Sequence, residues 1–141
     1  MKDYQSYKFE GTNGVAAFVA LVAGQNPGGC NLPAAQNAKG FVGFASDSLS
    51  AAQCGYSTQP AIPVVRGPRC RAIAAGAITH GHWVQIANNS GQVADCQTAV
   101  DAAPGTVAEV NVIGKAETDA VNPGDTVFVT TQEFVVQISA S

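Results

Sequence analysis

Short apolar runs separated by glycine turns place the strongest constraint on how this chain can fold. The segment VNVIGKAETDAVNPGDTVFV (residues 110–129) holds alternating aliphatic residues, an Asn-Pro-Gly-Asp turn and a restart of the strand pattern. Upstream, AGAITHGHWVQI (75–86) has the same shape, with Ile78, Gly81 and Val84 matching Val121, Gly124 and Val127. In each copy the aliphatic residue anchors the turn on the core. The glycine permits a positive φ without steric cost. The valine and the aliphatic residue two places on then point the same way along a strand.

Eight short runs of this kind can be read along the chain, near residues 15–23, 41–45, 61–67, 69–74, 82–87, 107–116, 126–129 and 133–138. The Ala content of the first leaves a helix open there. Segment 48–53 has room for one helical turn and 94–105 for a short helix, and no long amphipathic helix is visible. Many short strands with turn signals at close spacing predict an all-β fold, a small barrel or sandwich.

A chain of 141 residues is the size of one domain. Residues 15–141 are read as that single β domain. Residues 1–14 are read as an extended N-terminal arm, with Tyr4, Tyr7 and Phe9 set among polar groups and Gly11 and Gly14 closing it. An arm with exposed aromatics docks either on its own domain or on a neighbour. Charged residues make up 12% of the chain, about half the usual share, which predicts a surface partly covered by copies of itself or by a partner.

Several function classes lose support at this stage. The net charge of −3 gives no bulk basic character for nucleic acid. The longest apolar run, VAAFVALVA (15–23), is too short to span a bilayer, and Asp3 and Glu10 before it do not suit a cleaved leader. The expectation is a protein made in the cytoplasm with no membrane partner. Cys30, Cys54, Cys70 and Cys96 are widely spaced with no CxxC pair, so they read as buried apolar side chains, with disulfides the alternative. His80 and His82 flank Gly81 but lack a third ligand nearby, so no metal is expected. There is no GxSxG, P-loop or GxGxxG, and no catalytic or cofactor-binding residue is assigned.

The positive charge is local. Arg66, Arg69 and Arg71 are three of seven basic residues, packed into six positions. On a strand Arg69 and Arg71 share one face and Cys70 takes the other. The cluster reads equally as an interface for carboxylates on a partner or as internal pairing with Glu109, Glu117 or Asp119. With the three N-terminal aromatics, the arginines make the candidate interface Tyr4, Tyr7, Phe9, Arg66, Arg69 and Arg71.

The order of these blocks resembles a family. GFVGFASDSLSAAQ, IPVVRGPRCRAIAAGAITHGHWVQI, SGQV and VNVIGKAETDAVNPGDTVFV follow one another as in the small capsid cement, or head-decoration, proteins of tailed bacteriophages, over residues 41–138. The resemblance implies a small β-barrel or β-tulip-like domain on the outer surface of an expanded capsid. It implies a structural role, bridging and stabilising subunits of the major capsid protein, in a virion-associated homo-oligomer (trimer or dimer) made in the host cytoplasm. It carries over no catalytic residue and no cofactor. The tyrosine-rich start, the cysteines and the HGHW turn depart from the family pattern. The alternative is a carbohydrate- or cell-surface-binding β-module, with Trp83 and the tyrosines as stacking faces.

Overall fold

Alternation along the first strand decides how the fold closes. Tyr7 and Phe9 lie two residues apart and point inward, while Tyr4 has the opposite parity and points out. The computed structural model describes residues 3–54, 59–101 and 108–138. In it, β1 (Asp3–Phe9) pairs antiparallel with β5 (Ala61–Arg66) from Asp3↔Arg66 to Lys8↔Ala61. It also pairs in parallel with β3 (Gly29–Asn31) through Lys8↔Gly29 and Phe9↔Cys30. With β2 (Ala20–Ala23) and β4 (Phe41–Ala45) these strands form a closed barrel of order β1-β3-β2-β4-β5.

The remaining strands form a second sheet. β6 (Cys70–Ile73), β7 (Trp83–Ile86), β8 (Val93–Asp95), β9 (Ala108–Ala116) and β10 (Thr126–Ile138) take the order β6-β10-β9-β7-β8. The bridge Ala74↔Val93 draws its two outer strands toward each other. Among the described residues helix appears as α1 (Ala51–Cys54), which runs one residue past the turn expected at 48–53, and as α2 (Gln97–Val100), within 94–105. The fold class is all-β, with ten strands among the described residues where about eight were read.

The barrel has its own interior, built around Phe9, Leu21, Ile62 and Val64. A second cluster joins barrel to sheet: Phe41, Phe44 and Val65 pack with Val84, Ile113 and Val127. Phe41 and Phe44 meet edge to face at 5.1 Å and 67° between planes, a geometry aromatic pairs favour. A third, smaller cluster lies on the outer face of the sheet, where Val110 and Val112 pack with Trp83 and Phe134.

The two glycine turns of the repeat behave alike. Gly81 has φ +83° and Gly124 has φ +92°, the left-handed region that glycine enters without cost. The repeats also touch: Ile78 and Ala120 exchange backbone hydrogen bonds of 3.0 and 2.9 Å.

Three expectations are corrected. The extended N-terminal arm is a barrel strand from Asp3 onward, because its alternation sends Phe9 into the core with no exposed surface. The strand read at residues 15–23 is confined to Ala20–Ala23, since Phe18 turns the chain with φ +71°. The strand read from Arg69 starts at Cys70, because Arg69 takes a left-handed φ of +52° after the Gly67-Pro68 break. Met1 and Lys2 of the arm, residues 102–105 of the short-helix segment, Val107 of the run read at 107–116 and residues 139–141 lie outside the described residues.

Barrel closure makes the first strand indispensable. Phe9→Ala is expected to cost about 3–5 kcal/mol in denaturant unfolding. Deleting residues 1–9 is expected to abolish the cooperative thermal transition followed by circular dichroism. A deletion variant that melts like the full chain would restore this segment to a dispensable arm.

Candidate functional site

The three arginines reach the surface from different backbone settings. Arg66 ends β5 and forms an ion pair with Glu133 of β10, while its guanidinium stands 5.8 Å from the centre of the Phe41 ring. Both partners are more than a third exposed, so water screens the pair. Arg69 is held by its own turn, its backbone N–H donating to Thr130 Oγ1 at 3.3 Å, and its guanidinium lies 4.9 Å over Phe128. Arg71 lies on the exposed face of β6, with Phe18 at 5.5 Å and Phe128 at 6.0 Å.

The carboxylates expected to neutralise this cluster are engaged elsewhere. Glu109 pairs with Lys39 at 2.8 Å, Glu117 accepts the Thr130 hydroxyl at 2.9 Å, and Asp119 holds His80 at 2.9 Å. Among the described residues, Arg69 and Arg71 meet no carboxylate at all. Stacking on an aromatic ring fixes a guanidinium while leaving its N–H groups free to bind an anion. The arrangement is therefore a preorganised cationic face.

A groove of about 200 Å³ adjoins it, lined by Tyr4, Phe18, Ser46, Val65 and Arg71. Barrel and sheet both contribute, so the groove exists only when the two are packed together. Tyr4 is 62% exposed and stands at its edge. Of the remaining candidate residues, Tyr7 is half-buried against the barrel interior. Phe9 has no exposed surface, so it is removed from the candidate interface and assigned to the core.

Two members of this face were missed in the sequence. Phe128 was legible: it alternates with the buried Val127 and Val129, so it points outward. Phe18 was not, because its direction follows from a left-handed backbone that no pattern announced.

The other candidates take definite places. Each histidine faces its own carboxylate, His80 Nδ1 with Asp119 at 2.9 Å and His82 Nδ1 with Asp95 at 2.7 Å. Among the described residues no group of three or more metal-ligating side chains occurs. All four cysteines are buried. Burial is the main cause that pushes the thiols of Cys30 and Cys96 up to about 12, with Glu10 and Asp95 adding to it. A thiol so raised is a poor nucleophile. Trp83 packs edge to face on Phe134 at 4.8 Å and carries the Lys115 ammonium 5.4 Å from its ring, so neighbours already use the ring that a sugar would stack on.

The fold thus defines an all-β module in which a closed five-stranded barrel shares its core with a five-stranded sheet. A solved structure with this architecture is described as the head fiber gp8.5 N base in bacteriophage phi29. It aligns with a TM-score of 0.58 and 17% sequence identity, covering 94% of this chain and 95% of that one. The chain matches no family model and no curated protein sequence. At that level of identity the likeness is one of fold.

The repeat turns near the histidines make a pH test. The His80 backbone N–H, then its ring, hold the Asp119 carboxyl below its ordinary value, and the N–H groups of Asn122 and Val121 do the same for Asp125. A depressed folded pKa contributes stability above the unfolded value near 4, which is lost as pH falls through the folded one. The side-chain carboxyl resonances of Asp119 and Asp125 should therefore titrate with midpoints below the ordinary aspartate value. Midpoints at or above the ordinary carboxylate range would contradict this geometry.

Proposed function

We propose that this protein is a structural component of a bacteriophage virion, attached to the outer surface of the expanded head, where it bridges and stabilises subunits of the major capsid protein. The observation that carries the proposal is the end-to-end likeness in fold to a head fiber base, 94% of one chain against 95% of the other. A likeness that spans both chains involves the joined barrel and sheet together, the combination that builds the groove.

The chemistry of the surface supports a docking role without catalysis. Arg69 and Arg71 present guanidinium groups free of internal carboxylates, beside a groove of mixed polar and apolar lining edged by Tyr4. Such a face recognises acidic side chains next to apolar ones on a partner. On a shell it would meet the same partner surface many times. Modest contacts then suffice, because binding the assembled state stabilises that state by mass action.

The experiment is co-sedimentation of purified protein with expanded heads of its own phage that lack it. Saturable pelleting at a fixed ratio to the major capsid protein is expected. The double variant Arg69→Glu/Arg71→Glu should keep its circular dichroism spectrum and bind about tenfold or more weakly, because both changes reverse charge on the docking face. Failure of the folded wild-type protein to pellet would overturn the proposal and make a glycan-binding screen the next measurement.

A further inference from the structure

The far half of β9 and β10 stands clear of the rest of the sheet. β6 covers β10 only from Thr126 to Val129, and the last backbone hydrogen bond on that side is the Thr131 N–H donating to Gly67 O at 3.0 Å, followed by the Arg66–Glu133 ion pair between side chains. β7 covers β9 only at Gly114 and Lys115. From Phe134 to Ile138, β10 pairs with residues 108–112 of β9 alone. The result is a two-stranded ribbon with two edges, and the edges differ.

The β9 edge is sealed by one side chain. Asn37, held at φ +62°, donates from Nδ2 to Glu109 O at 2.5 Å and accepts the Asn111 N–H on Oδ1 at 2.7 Å. Asn111 Nδ2 returns a bond to Asn37 O at 2.9 Å. An amide so placed occupies the position of a third strand. Because Glu109 O and Asn111 N–H face Asn37, the intervening Val110 and the next residue Val112 face β10. Their partners are Val136 and Phe134. Strand alternation then turns the N–H and C=O of Val135 and Gln137 outward, away from β9.

No described residue pairs with that outer edge. Val135 on this edge is apolar and 56% exposed, and it borders a cleft of about 220 Å³ with Phe41 and Ile113. A flat β-branched edge with open hydrogen-bonding groups is a template for another strand.

We propose that this edge pairs antiparallel with the same edge of a second copy of this chain, about a two-fold axis at Val135. Self-pairing sets Val135 against Val135, Phe134 against Val136, and Glu133 against the neutral Gln137, so no like charges meet. Each strand supplies the donors and acceptors that the other lacks, and the closed symmetry stops growth at two copies. It also makes the two Phe134–Val136 faces continuous. The local charge does not select a charged foreign peptide, since Lys39 and Arg66 beside the cleft are already paired with Glu109 and Glu133. This inference is independent of the capsid proposal.

The test is sedimentation equilibrium of the full chain over a wide concentration range, with amide exchange read at Val135 and Gln137. A reversible dimer is expected, with both amides more protected as concentration rises. Val135→Pro removes an N–H that faces away from β9, a position where edge strands tolerate proline. It should retain the β-sheet circular dichroism spectrum and weaken the dimer about tenfold or more. Val135→Lys places like charges across the axis and should do the same without touching the backbone, so it carries the test alone if the proline variant misfolds. A monomer at every concentration would overturn the proposal. So would an assembly that the lysine variant leaves intact, or a dimer in which the edge amides stay unprotected.

Discussion

Barrel closure by β1 is the constraint on which the other features depend. Without it, β5 and β3 would expose unpaired edges, and Phe9 would leave the centre of the barrel. The strand also organises the turn at its end. The Glu10 N–H donates to Cys30 O at 2.9 Å, and its carboxylate accepts the N–H groups of Gln25 and Asn26 at 2.8 and 3.1 Å. The Gln-Asn-Pro-Gly-Gly turn is thereby fastened to the end of β1. A ladder hydrogen bond contributes only about 1 kcal/mol net, so the stabilisation comes from the apolar surface that closure removes from water.

The closed barrel then offers an outer wall for the second sheet. Phe41, Phe44 and Val65 turn outward from the barrel and fill the space under Val84, Ile113 and Val127. This shared core fixes Phe18 and Tyr4, from the barrel, beside Arg71 and Phe128, from the sheet. The cationic face is thus a consequence of packing and not of any local motif. Its arginines are positioned by aromatic rings in place of carboxylates, which leaves their charge available to a partner.

The strand pattern was legible in the sequence because burial on one face imposes a period of two. Runs such as TVFV and CRAI declare themselves in this way, and the glycine turns mark where they stop. The N-terminal segment was misread for the same physical reason in reverse. Its polar positions face water from a barrel wall, and so few inward residues, Tyr7 and Phe9, look like an arm. Closure is a non-local event, since β1 meets its partner more than fifty residues later, and no local pattern records it. The cluster of arginines was visible, and so was the outward Phe128. Their pairing was not, because Arg66 finds Glu133 through sheet topology and Phe18 reaches Arg71 through one left-handed residue.

One strand joins the two surfaces that remain. The near half of β10 is covered by β6 and carries Phe128 beneath Arg69 and Arg71. Its register then shifts between Thr131 and Phe134, where a bulge bends the strand. Past the bulge the strand leaves the cover of β6 and presents Val135 at an open edge. Val135 lies seven steps along the chain from Phe128, at most about 23 Å if the strand were fully extended. That distance lets the cationic face meet one partner while the edge meets another, with no competition for the same atoms. Asn37 closes the side of β9, where an added strand would run beside β7, and leaves open the side that projects beyond β6.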